Sequence, residues 1–200
     1  KNLENSIISG LKLSNTRFTI EFNFEGLKFN KIGITIYKIL ANHFNNNKIN
    51  KNVFITYSDP GAVALAKRDY SNIEENIFTF KGFNESKNIE DEESILISIL
   101  PSPYDFDSFE PMCDQFKGLH YSLNPKFEDV NIGIGSVIRE RRKKFAKKWQ
   151  NIYFLQPING AALMHTFPNN WLLFKEINKK YLFKKEFENK PDNETIFVNL

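Results

Sequence analysis

The chain has a single cysteine, Cys113, among 200 residues. No disulfide can form within it, and a reducing, intracellular compartment fits. The three histidines, His43, His120 and His165, are far apart and lack the spacing of metal ligands, so no metal and no cofactor is read. Long apolar runs are missing. The longest, Ile95 to Leu100, is the length of a strand and falls short of the ~18 residues that span a bilayer. No signal peptide is read; the first residue is Lys1 rather than Met, which leaves room for residues upstream. Catalytic signatures are also wanting. There is no GxGxxG or Walker loop. Ser58, Ser102 and His120 stand in no recognised nucleophile context such as GxSxG. Binding is therefore expected rather than catalysis. Excess charge is small as well: a net +3 is too little to mark a nucleic-acid binder.

What is abundant is phenylalanine, with 20 residues, so much of the core is expected to be aromatic. Apolar residues make up 41% and charged residues 26%, ordinary for a globular protein. Heavy use of Asn, Lys and Ile matches AT-rich codons, which inflates apparent basic patches. A chain of this length buries roughly 70% of its unfolded surface, enough for a core without disulfides or metal.

Apolar spacing at Leu3, Ile7, Ile8 and Leu11 predicts a helix over 3–13, although Gly10 interrupts it. Arg17 to Phe24 alternates as a half-buried strand, with Phe18, Ile20, Phe22 and Phe24 on one side. Ile32 to Phe44 has helical spacing. Val53 to Tyr57 is β-rich and leads into a helix over 62–70, with Pro60 at its first position and Asp59 or Ser58 as its N-cap. Asn76 to Phe80 reads as a strand and Glu85 to Glu93 as an exposed acidic loop. Ile95 to Leu100 has the continuous apolarity of a central parallel strand. Asp105 to Phe116 reads as a helix weakened by Pro111, and Leu119 to Leu123 as a strand. A basic helix over 136–149 follows, with Ile138, Phe145 and Trp149 as its buried stripe. The tail reads as short strands over 152–155, 161–167, 171–176 and 181–187, separated by turn signals. Trp171, Phe167 and Pro168 look like core and turn residues. The fold class is α/β: a mainly parallel, Rossmann-like three-layer sheet with antiparallel C-terminal strands. One domain is expected over 1–200, an α/β core to residue 150 and a β-rich extension over 151–200.

Ligands of such sheets bind beyond the carboxyl ends of the strands. Asp59, Gly61, Asp105, Asp107 and Asn124 fall there on this reading, and Gly133, Gly135 and Arg139 could join them. Backbone N–H groups at the start of the basic helix could hold a phosphate or carboxylate that Arg139 neutralises. The competing reading makes the aspartates helix caps and the glycines a tight turn. The basic helix itself presents Arg139, Arg141, Arg142, Lys143, Lys144, Lys147 and Lys148. These form either a cationic face for anionic lipid, nucleic acid or an acidic protein, or a solvated face in a Lys-rich chain. The low net charge argues against nucleic acid.

Several stretches, in order, resemble the DUF1995 domain. They are Phe54-Ile55-Thr56-Tyr57-Ser58-Asp59-Pro60-Gly61-Ala62 with Ala64 to Arg68; Leu100-Pro101-Ser102-Pro103-Tyr104-Asp105; and Leu123-Asn124-Pro125. Ile132-Gly133-Ile134-Gly135 with Arg139-Glu140-Arg141 and Phe145 follows, then Tyr153-Phe154-Leu155, Gly160-Ala161-Ala162-Leu163, and Phe167-Pro168 with Trp171. The resemblance implies a cyanobacterial or plastid-stromal factor for photosystem II assembly, peripheral to the thylakoid. Its partner would be a photosystem II subunit or a thylakoid insertase. A branch of the family fused to plastid adenylate kinases keeps open a small-anion or nucleotide site at the carboxyl edge. The family brings no catalytic residues. One position departs: where the family leads one to expect Leu-x-Arg-x-Tyr-Pro, this chain has Leu163-Met164-His165-Thr166-Phe167-Pro168.

Overall fold

The computed structural model describes residues 1–127 and 136–200. Its helices are α1 (Asn2–Gly10), α2 (Phe29–Asn46), α3 (Pro60–Asp69), α4 (Phe80–Asn84), α5 (Phe106–Gln115), α6 (Ser136–Ala146) and α7 (Asn193–Val198). Its strands are β1 (Arg17–Phe22), β2 (Val53–Tyr57), β3 (Ile77–Thr79), β4 (Ile95–Ile99), β5 (Leu119–Leu123), β6 (Gln150–Ile158), β7 (Ala161–Thr166), β8 (Trp171–Ile177) and β9 (Lys180–Phe187). They form one sheet in the order β3-β2-β4-β5-β1-β6-β7-β8-β9. The first six strands of that order are parallel. The last three run antiparallel. The α/β class and the antiparallel end match the sequence reading.

Strand alternation sorts the core. Val53, Ile55 and Tyr57 of β2 and Ile95, Ile97 and Ile99 of β4 enter one cluster, with Ile7 of α1, Ile34, Ile36 and Leu40 of α2 and Ala66 of α3. Phe54 and Leu96, between them in sequence, turn to the other face and meet Phe80 and Phe83 of α4, Phe109 of α5 and Phe145 of α6. Both faces are thus buried, which is why these strands lack polar alternation. From β1 the chain steps to β2 and β3 in one direction across the sheet, with α2 and α3 on the first face. From β3 to β6 it steps back the other way, with α4, α5 and α6 on the second. Crossovers of one hand require this exchange of faces. The directions diverge between β2 and β4, the switch point where ligands of such sheets bind.

Four expectations need correction. Ile138 is 45% exposed rather than part of a buried stripe, because α6 seats on α5 only through its second half, where Phe145 meets Phe106 and Phe109. Trp149 is buried, but it lies beyond the end of α6. The strand expected to Phe80 stops at Thr79, whose hydroxyl caps α4 by accepting from Gly82 N at 2.9 Å. The acidic stretch over 85–93 contains a 3-10 turn that buries Ile89, so it is not all exposed loop. One helix had no sequence prediction: α7, capped by Asp192, packs Ile196 onto Phe154, Leu163 and Trp171.

Gly10 within α1 leaves room for an ordinary contact rather than avoiding a clash. A Cβ there would stand 3.4 Å from the Tyr121 hydroxyl, which donates to Ile7 O at 3.2 Å.

Candidate functional site: the carboxyl edge and the basic helix

At the switch point, Asp59 is the N-cap of α3, its Oδ1 accepting from Ala62 N at 2.8 Å. Gly61 sits in that first turn, where a Cβ would come 3.0 Å from Asp59 Oδ1. Asp105 accepts from Ser102 N at 2.9 Å and from Ser102 Oγ at 2.6 Å, closing the turn after β4. Asp107 lies in the first turn of α5, where a carboxylate favours the helix dipole. Asn124 has a positive φ of 48° and clamps the end of β1. Its Oδ1 accepts from Phe22 N and its Nδ2 donates to Phe22 O, each at 2.7 Å. The polar groups of Asp59, Asp105 and Asn124 are therefore engaged locally: Asp59 caps α3, Asp105 closes the turn after β4 and Asn124 clamps β1. Gly133 and Gly135 lie outside the described residues.

The edge does hold a cleft, lined by other residues. It has a volume of 480 Å3 and runs between Lys28, Asn30 and Lys31 at the start of α2, Asp69 and Tyr70 at the end of α3, and Leu100. The 18-residue helix α2 receives no side-chain cap at its N-terminus. Its free N–H groups and dipole favour an anion, and Lys28 and Lys31 carry the matching charge. Leu100 takes a left-handed φ of 52°, rare for a residue with a side chain, at the switch point itself. Behind Tyr70, the Tyr57 hydroxyl is buried without a hydrogen-bond partner. Burial, with Tyr70 nearby, pushes its pKa up to about 12. The sequence signal for this cleft was an absence: Lys28, not Ser, Thr, Asp or Asn, stands where the α2 cap belongs.

The basic helix divides into two sides. Toward α5, Arg141 pairs with Glu110 and Lys148 with Asp114 at 3.2 Å, while Lys144 pairs with Glu140 at 3.6 Å. Arg142 donates to Pro103 O at 3.0 Å and lies over the Phe106 ring. Arg139, Lys143 and Lys147 follow at intervals of four, about 6 Å apart along a helix. All three are exposed, and among the described residues none of them makes an ion pair. Tyr104, next to Pro103, and Val137 add exposed apolar surface at 81% and 77%.

Under α5 and α6 lies a polar chain that sequence reasoning missed. Thr56 Oγ1 is 2.8 Å from Ser98 Oγ, which is 2.7 Å from His120 Nε2; His120 Nδ1 is 3.7 Å from Cys113 Sγ. A hydroxyl, an imidazole and a thiol in line resemble a catalytic relay. Here, however, every member is at most 1% exposed. Burial pushes the thiol up and the imidazole down, so neither carries charge near neutrality. The chain is buried polar core.

It has a consequence for acid stability. The folded His120 pKa is depressed, so only the unfolded chain takes a proton as pH falls through about 6.5. Stability should fall below that pH by up to about 1.4 kcal/mol per unit. His165, also depressed by burial, acts in the same direction. Asp114 acts lower. Its partial burial is outweighed by the Arg17 and Lys148 bonds, which hold it below the usual carboxylate range, and its contribution is lost only in stronger acid. Urea midpoints that stay level between about pH 7 and about pH 5 would contradict this assignment.

A family model described as a domain of unknown function, DUF1995, matches residues 2–197. The chain belongs to the DUF1995 family. No curated protein matches it. In this DUF1995 chain, three of the stretches that carry the likeness, Ser58 to Gly61, Leu100 to Asp105 and Asn124-Pro125, are the turns after β2, β4 and β5. At the departing position, His165 Nδ1 is 2.8 Å from Asn151 Oδ1, and the ring stacks on Trp171 at 4.7 Å. A neutral, buried imidazole replaces the arginine expected there.

Proposed function

We propose that this DUF1995 chain is a non-catalytic binding protein that docks on an anionic membrane surface and serves the assembly of a membrane complex. The process implied by the resemblance is photosystem II assembly at the thylakoid, from the cyanobacterial cytoplasm or the plastid stroma. A photosystem II subunit or a thylakoid insertase would be the partner. One observation carries the docking: Arg139, Lys143 and Lys147 form an exposed stripe that makes no ion pair among the described residues, while Arg141, Lys144 and Lys148 are matched by acids. Among the described residues no helix is long and apolar enough to cross a membrane. Attachment would then rest on surface charge, aided by Tyr104.

Each basic residue near an anionic surface contributes ~1 kcal/mol. Changing Arg139, Lys143 and Lys147 together to glutamine should weaken binding to phosphatidylglycerol vesicles by about 3 kcal/mol, roughly a hundredfold. Changing Arg141 and Lys144 instead should matter little. Vesicle sedimentation in which both sets behave alike would reject the stripe. Loss of the gene with photosystem II left at normal levels would reject the process.

A second reading rests on the uncapped α2 N-terminus with Lys28 and Lys31: a small-anion or nucleotide site in the carboxyl-edge cleft. Phosphate or nucleotides should raise the melting temperature, and Lys28→Ala with Lys31→Ala should abolish the rise. A screen that moves nothing removes this reading.

A further inference from the structure

On the face of the sheet away from α6, helix α1 lies against β6 and β7 and forms one wall of an open cavity of 410 Å3. Helix α1 carries two stripes. Leu3, Ile7 and Leu11 pack into the core. Asn2, Asn5, Ser6 and Ser9, spaced i, i+3, i+4 and i+7, share one face. That face lines the cavity opposite the turn that follows β7. Ser6 is fully buried, yet among the described residues its hydroxyl has no hydrogen-bond partner. A buried hydroxyl left unsatisfied costs stability, and this one belongs to a residue that lines an open cavity. It is a group waiting for a partner.

The turn supplies the opposite wall. Asn169 Nδ2 donates to Thr166 O at 3.0 Å and to Thr166 Oγ1 at 3.2 Å. This leaves Asn169 Oδ1 as an acceptor and the Thr166 hydroxyl hydrogen as a donor. Phe167, Pro168 and Ile8 give the cavity an apolar side. No lysine, arginine or histidine lines it, and Glu4 is the one charged group. A phosphate or carboxylate would meet no counter-charge there. A metal is disfavoured too: among the described residues no group of three or more His, Cys, Asp or Glu side chains could hold one. Carboxamides and hydroxyls that donate and accept, beside an apolar wall, suit a neutral polyhydroxylated ligand. Its hydroxyls would bond the helix face and its C–H face would lie on the apolar side. The volume lies within the usual range of small-ligand sites.

We propose that the cavity between α1 and the turn after β7 binds a neutral sugar, either free or as the headgroup of a glycolipid. The test is amide NMR on the chain with methyl galactoside, with phosphatidylcholine vesicles carrying or lacking a galactosyl diacylglycerol, and with inorganic phosphate. Galactoside should shift the amides of Ser6, Ser9, Thr166 and Asn169, and phosphate should leave them unmoved. Shifts with free galactoside assign a soluble sugar. Binding confined to the galactolipid vesicles assigns the headgroup. Ser6→Ala should weaken either interaction roughly three- to tenfold. The same variant should melt no lower than the parent, because it removes a hydroxyl that has no partner. Asn5→Ala, at an exposed position, should weaken binding without affecting folding. Absence of shifts with every sugar probe would overturn the proposal, as would phosphate shifting the same amides. A lower melting temperature for Ser6→Ala would do so as well, since the hydroxyl would then have a structural partner.

Discussion

Replacing Phe109 with alanine is expected to cost about 3–5 kcal/mol of folding stability. Phe109 is 1% exposed at the centre of an aromatic cluster. Its ring lies 5.0 Å from Phe80, 5.8 Å from His120, 6.0 Å from both Phe127 and Phe145, and 6.1 Å from Trp149. These neighbours come from α4, β5, α6 and the segments beside them, so one side chain joins most of the layer. Ring pairs at such distances add about 0.5–1.5 kcal/mol beyond the area they bury. Rigid rings also close a void poorly, which puts this site at the costly end of large-to-small changes. Against a typical total of about 5–15 kcal/mol, the loss is large. Urea unfolding measures it; a loss below about 1 kcal/mol would mean that the cluster collapses to fill the gap.

Gly118→Ala should be nearly as damaging, at about 3 kcal/mol. A Cβ at Gly118 would stand 2.3 Å from Ser94 O, 2.6 Å from Phe116 Cζ and 3.2 Å from Asp91 O. Two of these are backbone carbonyls, and no rotamer relieves them. Ser94 O also accepts from Leu119 N at 3.2 Å, so the shift would reach the start of the β4–β5 pairing. Gly26 makes the contrast. Its φ is 79°, but nothing stands within 4 Å of a Cβ there. Gly26→Ala should cost only the conformational term of about 1–2 kcal/mol. A loss at Gly118 no larger than that at Gly26 would show that the backbone around Ser94 shifts to relieve the contact.

The elements were legible where a local rule acts. Continuous apolarity marked β4, and Asp59-Pro60 marked the start of α3. The turn residues over 157–160 and 168–170 marked the antiparallel end. Periodicity reports which face a residue takes, not which strands are neighbours. The place of β1 between β5 and β6 was therefore hidden, as was the Thr56–Ser98–His120–Cys113 chain, whose members come from β2, β4, β5 and α5. The strand-end residues chosen as ligand groups do lie at the carboxyl edge. Their chemistry, however, serves the turns, and the cleft beside them is lined from α2 and α3. A polar residue after a strand looks alike from sequence whether it caps or binds. The basic helix was legible as basic, but which of its residues pair with acids depended on Glu110 and Asp114 of α5.

The central position of β1 sets a timetable. Arg17 pairs with His120, more than a hundred residues further along, and Phe18 with Gln150. As the chain leaves the ribosome, β2, β3 and β4 can find one another early, whereas β1 emerges before them and waits for β5 and β6. Until then Phe18 and Ile20 have no sheet to enter. The interval suits a chaperone, and it makes folding slow for a domain of this size. A chain cut short before residue 150 would keep the parallel run β3-β2-β4-β5-β1 and leave β1 as an open edge, with β6 and the C-terminal meander gone.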